Sequence, residues 1–435
     1  MTDYSKLYQE KLTTATEVAA RVQSGWMLGM DAAAAHPTAL ITALAERAKA
    51  GELNGVKVDS LLDVMPLEYY VDNELAGKLS GMSWFAGGAA RKAINGGWAD
   101  FIPSYYRDIP GHIRTHYDYD AVITEVSPMD KHGYFSFGTV SSMSEAHLDK
   151  AKRVYVVVND KQPRAVCGLQ IHVSHVDAII EDNHDLPVLP PVVLDDVSIT
   201  IGNLIAEQIP DGACLQLGIG AIPDATGMAL KSKHDLGIHT EMFTDSMVEL
   251  IECGAVNNSK KQIHRGQTVT TFAFGSKRIY DYIDDNPAMV ILPVDYVNDP
   301  AVIAKNDNMI SINAAVEVDL LGQVCAETIG TKHLSGTGGQ VDFVRGACQS
   351  KGGKSFIAFA STAKGGTISK IQPILTPGAA CTTSKNDVDY IVTEYGIAKL
   401  RGLPLSQRVK NLIAIAHPDF WDELTFAAKN RGMMI

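Results

Sequence analysis

The chain has 435 residues, of which 46% are apolar and 20% are charged. This is the composition of a globular protein and excludes collagen, coiled coil and bulk disorder. The 38 basic and 50 acidic residues leave a net charge of −12, which argues against nucleic acid as a partner because phosphate contacts need a basic face.

The N-terminal segment is polar and lacks the apolar core of a secretory signal. No later run approaches the ~18 apolar residues that a membrane-spanning helix needs. We therefore expect a cytoplasmic protein that does not engage a membrane.

Segments from the first half of the chain return in the second half. VAARVQSG at 18–25 resembles IAEQIPDG at 205–212, at an offset of 187 residues. ITEVSPMDKHG at 123–133 parallels INAAVEVDLLG at 312–322, at an offset of 189. Generic helix–turn–strand similarity is the alternative, but two distant matches with nearly equal offsets predict two related halves.

A proline-rich segment separates these halves. Three prolines within 187–191 predict a stiff, extended connector, so we place an N-terminal domain at 1–192 and a C-terminal domain at 193–435. Short runs rich in β-branched residues alternate with amphipathic stretches, which predicts an α/β fold with mostly parallel sheets. Strands are predicted at 154–158, 213–217, 288–293 and 390–393, and helices at 37–50, 196–208, 223–233 and 245–253.

A glycine turn follows the predicted strand at 213–217. Gly218-Ile219-Gly220 leads to Pro223, a residue that suits the first turn of a helix. Backbone N–H groups at such a helix start favour an anion or a developing oxyanion. A tight turn without a ligand is the alternative, and two of the three glycines of GxGxxG only weakly indicate a dinucleotide site.

An acidic residue stands where the next predicted strand ends. The run LGIHT at 236–240 is strand-like, and a helix is predicted to begin with Asp245 as its cap. Glu241 thus falls at the edge at which open α/β sheets bind ligands. This placement makes Glu241 a candidate for the chemistry.

Residues 343–386 contain no Asp or Glu, although they carry six basic residues and two glycine pairs. Glycines let the backbone approach a ligand, and lysines without competing acids suit phosphates. A solvated basic face is the alternative.

Metal binding is not expected. His172 and His175 have helical spacing, but no third ligand follows at a convincing distance. The six cysteines lie at least 23 residues apart, which excludes CxxC motifs and favours reduced thiols.

Together these motifs resemble the acetyl-CoA hydrolase/transferase family, and within it the 4-hydroxybutyrate and butyryl-CoA:acetate CoA-transferases. The similar segments are ITEVSPMDKHGYFSFG at 123–138, LGIGAIPDA at 217–225, GIHTEMFTD at 237–245, SINAAVEVDLLGQ at 311–323 and GTGGQVDF at 336–343. The resemblance implies two related CoA-transferase-type α/β domains, with the active site in the cleft between them.

The resemblance also implies the site residues. Glu241 would be the catalytic residue, and His36 is a candidate for the substrate pocket. The residues implied in binding CoA or an oxyanion are Gln216, Leu217, Gly218, Ile219, Gly220, Asn313, Gly336, Gly338 and Lys364. No permanently bound cofactor is implied, since CoA and acyl-CoA are substrates, and a homodimer or a higher homo-oligomer is expected.

The implied reaction moves CoA between a short-chain acyl-CoA and a free carboxylic acid through a glutamyl-CoA thioester on Glu241, with 4-hydroxybutyrate as the expected acid. An acyl-CoA hydrolase on the same fold is the nearest alternative. A non-catalytic CoA-binding protein would need no nucleophile. A nicotinamide-dependent oxidoreductase would need an acid ~20 residues after the glycines, a spacing that Glu241 also satisfies.

Overall fold

The computed structural model describes residues 4–434. The strands of the first half are Leu12–Thr13 (β1), Met27–Met30 (β2), Val56–Ser60 (β3), Leu79–Ser83 (β4), Asp100–Phe101 (β5), Ala121–Val126 (β6), Tyr134–Ser136 (β7), Val154–Val158 (β8), Gln170–His172 (β9) and Ala178–Glu181 (β10). Its α-helices are Ser5–Lys11 (α1), Ala15–Arg21 (α2), Thr38–Lys49 (α3), Glu68–Val71 (α4), Arg91–Gly96 (α5), Ile109–His116 (α6) and Ser144–Lys150 (α7).

The second half is richer in short strands. They are Cys214–Leu217 (β11), Gly237–Ile238 (β12), Met242–Phe243 (β13), Thr268–Thr270 (β14), Phe272–Ala273 (β15), Met289–Ile291 (β16), Met309–Ala314 (β17), Glu317–Asp319 (β18), Val324–Cys325 (β19), Thr328–Ile329 (β20), Lys332–His333 (β21), Lys354–Ala358 (β22), Thr362–Ala363 (β23), Ile368–Ser369 (β24), Ile371–Gln372 (β25), Tyr390–Thr393 (β26) and Gly396–Lys399 (β27). The α-helices are Asp196–Ala206 (α8), Ala221–Ala229 (α9), Asp245–Glu252 (α10), Lys277–Ile283 (α11), Val294–Val297 (α12), Pro300–Ile303 (α13), Gln340–Gln349 (α14), Leu405–Ala414 (α15) and Trp421–Asn430 (α16).

Each half is built around one large sheet. The first sheet has eight parallel strands in the order β1-β10-β8-β6-β2-β3-β4-β5. The second has six strands in the order β12-β11-β17-β22-β26-β27, and only its last pair is antiparallel. Strands such as β6 and β8 are buried along their whole length, as parallel strands covered on both faces should be.

The strand order confirms the predicted duplication. The run β10-β8-β6-β2-β3 of the first sheet has the same order as β26-β22-β17-β11-β12 of the second. The repeated segments lead into matching strands, because 18–25 precedes β2 and 205–212 precedes β11. The α/β class with mostly parallel sheets is therefore confirmed.

The predicted elements differ from the structure mainly at their ends. The helix predicted at 223–233 begins at Ala221, because Gly220 occupies the N-cap with a φ of 116°. Pro223 is thus the third helical residue rather than the opening one. Thr244 is the N-cap of α10 and Asp245 its first residue, so the predicted capping role of Asp245 is wrong by one position.

The two halves share an apolar core. Trp84 and Tyr106 of the first half pack in the same buried cluster as Phe243 and Phe272 of the second. Within the described chain, residues 182–195 form no helix or strand, and the boundary at 192/193 falls in this segment but remains a prediction. No helix among residues 4–434 has the length and hydropathy that crossing a bilayer requires.

Candidate active site

A cavity of about 250 Å³ lies between the two halves. The first half contributes Leu61 and Leu62 after β3, Phe85 after β4, and Tyr106. The second half contributes residues at the carboxyl ends of β11 and β17. Eight of the predicted site residues line the cavity: Gln216, Leu217, Gly218, Ile219, Glu241, Asn313, Gly336 and Gly338.

Glu241 lies in the link between β12 and β13, at the cavity wall. Its backbone carbonyl accepts hydrogen bonds from the N–H groups of Thr271 at 3.0 Å and Phe272 at 3.3 Å, which fixes the chain at this point. Its Oε2 accepts a hydrogen bond from Nδ2 of Asn298 at 2.7 Å. The backbone N–H of Gly339 also donates to the carboxylate. The nucleophilic candidate is therefore held at both its backbone and its side chain.

Burial raises the pKa of Glu241 to about 7, against the two hydrogen bonds from Asn298 and Gly339, which lower it. Desolvation disfavours the charged form, so the ionised carboxylate is poorly solvated where it is needed for reaction. A perturbed carboxyl in a cavity between domains marks a functional site.

This raised pKa sets the expected pH dependence of any reaction in which Glu241 is the nucleophile. Only the carboxylate attacks, so the rate constant for the first acyl transfer should rise with pH through about 7. Below that pKa the rate should fall about tenfold per pH unit. Single-turnover rates with an acyl-CoA between pH 5 and 9 measure this profile. A rate independent of pH across this range would contradict the assignment.

Gly339 lies so close to Glu241 that no side chain would fit at position 339. A Cβ at this position would lie 1.9 Å from Oε2 of Glu241 and 2.2 Å from Nδ2 of Asn298. A glycine is therefore needed at position 339, because the N–H of this residue must come close enough to donate to the Glu241 carboxylate.

The glycine turn after β11 offers fewer free donors than predicted. The N–H of Gly218 donates to the carbonyl of Ile312 at 2.9 Å as part of the parallel sheet, so it cannot serve an oxyanion. Among residues 4–434, no acceptor pairs with the N–H groups of Ile219 and Gly220, and these remain as donors near the start of α9. Gly220 itself caps α9 and does not line the cavity.

A pair of amides closes the sheet side of the cavity. Gln216 at the end of β11 and Asn313 at the end of β17 exchange hydrogen bonds of 3.2 and 3.3 Å. Both side chains line the cavity beside the glycine turn. The polar side chains on this side of the cavity are therefore neutral amides rather than charged groups.

The loop from Ser335 to Gly339 joins the second half to the first. A Cβ on Gly336 would lie 3.0 Å from the backbone oxygen of Trp84, and the carbonyl of Gly338 accepts the N–H of Tyr106 at 3.1 Å. These backbone contacts place the predicted glycines against the N-terminal half, so the cavity is completed only when the halves meet.

Two other predicted residues lie outside the cavity lining. Lys364 has a φ of 49° and lies in the exposed turn between β23 and β24. His36 is buried with its Nε2 3.0 Å from Oδ1 of Asp63, in the core of the first half. Their predicted roles remain predictions.

Several basic residues of the acid-free segment are engaged away from the cavity. Lys354 is the first residue of β22 and lies at the amino end of the sheet, whereas the cavity lies at the carboxyl end. The Nζ of Lys354 donates to the carbonyl of Gln208 at 3.0 Å. Lys351 lies 3.8 Å from Asp307. The expectation that lysines throughout this segment bind phosphates is therefore too broad, because the two ends of β22 lie at opposite edges of the sheet.

Four residues near the nucleophile were absent from the predicted site: Tyr106, Asn298, Gly339 and Asp342. Gly339 and Asp342 belong to the motif GTGGQVDF, so the motif was a usable signal for them. Tyr106 and Asn298 belong to no such motif and are brought to the site by the fold alone.

Family models match most of the chain. The N-terminal domain of acetyl-CoA hydrolase/transferase matches residues 1–190, and the C-terminal domain of the same family matches residues 275–428. A succinyl-CoA:cyclohexane-1-carboxylate CoA transferase from Geobacter metallireducens is 49% identical over 426 residues, covering 98% of this chain and 97% of that protein. A 4-hydroxybutyrate coenzyme A transferase from Clostridium kluyveri is 43% identical and covers 99% and 100%.

The crystal structure of RipA from Yersinia pestis has the same fold over its whole length. It superposes with a TM-score of 0.94 at 40% identity and covers 100% of both chains. The sequence and the fold therefore both match known proteins along the full chain. This chain therefore belongs to the acetyl-CoA hydrolase/transferase family and is one of its CoA-transferases.

Proposed function

We propose that the protein transfers CoA between a short-chain acyl-CoA and a free carboxylate through a glutamyl-CoA thioester on Glu241. The observation that carries this proposal is the Glu241 carboxylate itself. It lies at the wall of the cavity between the halves, and its oxygens are held by the Asn298 amide and the Gly339 N–H. A carboxylate nucleophile suits this reaction because the acyl group must pass through an activated anhydride.

The steps balance without any bound cofactor. A carboxylate oxygen of Glu241 attacks the thioester carbonyl, and the C–S bond breaks. CoA departs as the thiolate, and a mixed anhydride of Glu241 and the acyl group remains. The thiolate then attacks the glutamyl carbonyl, which releases the free acid and forms glutamyl-CoA. An incoming carboxylate attacks the carbonyl of this thioester, the C–S bond breaks, and a new mixed anhydride forms as CoA thiolate departs. The thiolate then attacks the acyl carbonyl of that anhydride, which gives the new acyl-CoA and frees the Glu241 carboxylate.

Backbone donors near the glycine turn support the charged intermediates. The N–H of Ile219 is unpaired among the described residues, and Ile219 lines the cavity just before the start of α9. Such donors stabilise tetrahedral oxyanions, and removing one typically costs about 10²–10³-fold in rate. Remote binding of the CoA moiety, with Lys364 as one contact, would help to exclude water from glutamyl-CoA.

The lining of the cavity favours short acyl groups whose chains carry no charge. Leu61, Leu62, Phe85 and Phe272 line it, and Glu241 is the only Asp, Glu, Lys, Arg or His among the described lining residues. The acid that we propose is 4-hydroxybutyrate, which is named for the relative from Clostridium kluyveri. Butyrate and cyclohexane-1-carboxylate are the competing acids, because one relative named above is a succinyl-CoA:cyclohexane-1-carboxylate CoA transferase and another similar protein is a butyryl-CoA:acetate CoA-transferase.

The proposal is tested by trapping the intermediate. The protein is exposed briefly to butyryl-CoA, reduced with borohydride or left untreated, digested, and analysed by mass spectrometry. We expect a CoA adduct before reduction and a reduced glutamyl residue in the peptide that contains Glu241. Absence of both, with any short acyl-CoA, would overturn the proposal.

The same experiment separates transfer from hydrolysis. A transferase retains CoA on Glu241 until a carboxylate such as acetate is added, so release of free CoA should be slow without the acid. Steady CoA release without added acid would favour the hydrolase, an activity named for relatives at 28–29% identity.

The role of Lys364 is tested by Lys364→Ala. We expect KM for acyl-CoA to rise by on the order of threefold with little change in kcat, the effect of losing one exposed charge contact. The control is Lys351→Ala, which removes another exposed lysine from the far edge of the sheet. Equal KM values for the two variants would remove Lys364 from the CoA site.

A further inference from the structure

Asp342 is a buried carboxyl close to the nucleophile that none of the steps above uses. It is 2% exposed and lies in the first turn of α14. Its Oδ2 lies 3.5 Å from Nδ2 of Asn298, and that same nitrogen donates to Oε2 of Glu241 at 2.7 Å. One side-chain amide thus connects two carboxyl groups.

We propose that Asp342 is a positioning residue, which accepts the second amide hydrogen of Asn298 and so fixes the amide with its nitrogen toward Glu241. The inference rests on the proposed role of Glu241 as the nucleophile. Rotating the amide by half a turn would place its oxygen against the Glu241 carboxylate, which would repel it. Oδ1 of Asn298 is buried and has no hydrogen-bond partner in the described chain, so only the nitrogen side selects the orientation.

Asp342 is itself held from across the cleft. Its Oδ2 accepts the backbone N–H of Arg107 at 3.3 Å, and Arg107 belongs to the N-terminal half. The guanidinium of Arg107 is engaged elsewhere, 3.2 Å from Asp299 and 3.1 Å from Asp108. The backbone, rather than the charge, of Arg107 therefore makes the contact, and closure of the two halves sets the position of the Asp342 carboxyl.

Asp342 can play this part as a neutral acid. The ionisable groups on the elements around it are Glu241, Tyr106, Arg107, His239 and Asp299. Burial, followed by the charge of Glu241, raises the pKa of Asp342 to about 8, although its hydrogen bonds and Arg107 oppose the shift. Because the charge of Glu241 raises the pKa of Asp342, ionisation of Glu241 favours the protonated form of Asp342.

This order of ionisation has a consequence for the rate. A neutral Asp342 accepts hydrogen bonds without placing a second negative charge beside the oxyanion that develops at Glu241. Above about pH 8 the Asp342 carboxyl ionises, repels that charge and competes for the Asn298 amide. The rate of glutamyl-CoA formation should therefore fall on the alkaline side because of Asp342.

The test measures single-turnover formation of glutamyl-CoA from butyryl-CoA between pH 6 and 9.5. The variants are Asp342→Asn, whose amide oxygen still accepts hydrogen bonds, and Asp342→Leu, which accepts none. The control is Asp389→Asn, which alters another buried carboxyl of raised pKa that accepts a backbone N–H, from Ser355 at 3.3 Å. Asp389 lies outside the cavity lining.

We expect Asp342→Leu to slow the step by on the order of 10²-fold through misplacement of the nucleophile, with KM nearly unchanged. Asp342→Asn should remain close to wild type at pH 7.5 and lose the alkaline decline, while Asp389→Asn keeps it. Full speed in Asp342→Leu, an alkaline decline retained in Asp342→Asn, or Asp342→Asn as slow as Asp342→Leu would overturn the inference.

Two outcomes need separate treatment. If Asp342→Leu does not fold, the pH profile of the near-isosteric Asp342→Asn decides alone. If the wild-type protein forms no adduct at Glu241, the proposed function itself fails, and this is seen before any variant is compared.

Discussion

Glu241→Gln is expected to lower CoA transfer by on the order of 10⁴- to 10⁶-fold, the range produced by loss of a covalent nucleophile. The amide keeps the shape of the side chain but cannot form the anhydride. Transfer of CoA from butyryl-CoA to acetate, followed by chromatography of the acyl-CoA products, measures the loss. The peptide containing residue 241 should carry no CoA adduct in the variant.

The same substitution should change stability in a pH-dependent way. The folded-state pKa of Glu241 is raised to about 7 from its ordinary value of 4.5, so folding favours its protonated form and stability falls as pH rises between these values. Glu241→Gln has no such charge to bury, and should unfold at a higher temperature than wild type at pH 8.

Glu317→Gln is the matched control for both measurements. Glu317 is 8% exposed, and its carboxylate accepts hydrogen bonds from Thr376 at 2.7 and 2.8 Å, outside the cavity lining. This variant should retain transfer activity. Wild-type turnover in Glu241→Gln would contradict covalent catalysis at this residue.

Gly339→Ala is expected to produce the second largest loss, on the order of 10²-fold or more in kcat. The added methyl group would lie 1.9 Å from Oε2 of Glu241, so the carboxylate must leave its place and lose the Asn298 hydrogen bond. The defect should appear in the rate of adduct formation rather than in overall folding, because the clash is with a side chain at the cavity wall.

Gly111→Ala provides the comparison for a glycine substitution. A Cβ at Gly111, within α6, would meet no atom within 4 Å. Alanine in a helix interior is favoured over glycine, so this variant should be active and at least as stable as wild type. If Gly339→Ala retained normal adduct formation, the close approach of this glycine would have no functional meaning.

The site accepts a cost in stability for reactivity. A carboxylate in water is a weak nucleophile, and partial burial beside Asn298 and Gly339 keeps Glu241 desolvated yet oriented. In the proposed reaction the same burial would keep water from the glutamyl thioester, whose hydrolysis would waste the activated acyl bond.

Much of the fold follows from local patterns. The buried strands β8 and β26 have the bounds that the sequence predicts, because short runs of β-branched residues between helices are typical of buried strands. The repeated segments predicted two related halves, and the matching strand orders confirm them. Glu241 was found because the end of a strand is a local feature, and the carboxyl edge of a parallel sheet is where ligands bind.

Other features depended on backbone geometry that the residue order does not display. The N–H of Gly218 was expected at an oxyanion, but the parallel pairing of β11 with β17 consumes it. Lys351 and Lys354 were grouped with Lys364 by sequence proximity, although β22 separates them across the sheet. Cytoplasmic location, a homo-oligomeric state and the preference for 4-hydroxybutyrate remain predictions from sequence.

The amino-acid sequence by itself determined the duplicated α/β architecture, the family, and the candidate nucleophile, because each is encoded in short contiguous patterns. Only the tertiary structure decided what surrounds that nucleophile. Asn298 and Glu241 are 57 residues apart in the sequence, and Arg107 and Asp342 are 235 residues apart. Contacts of this span leave no local pattern, since they form only when the two halves close on one another.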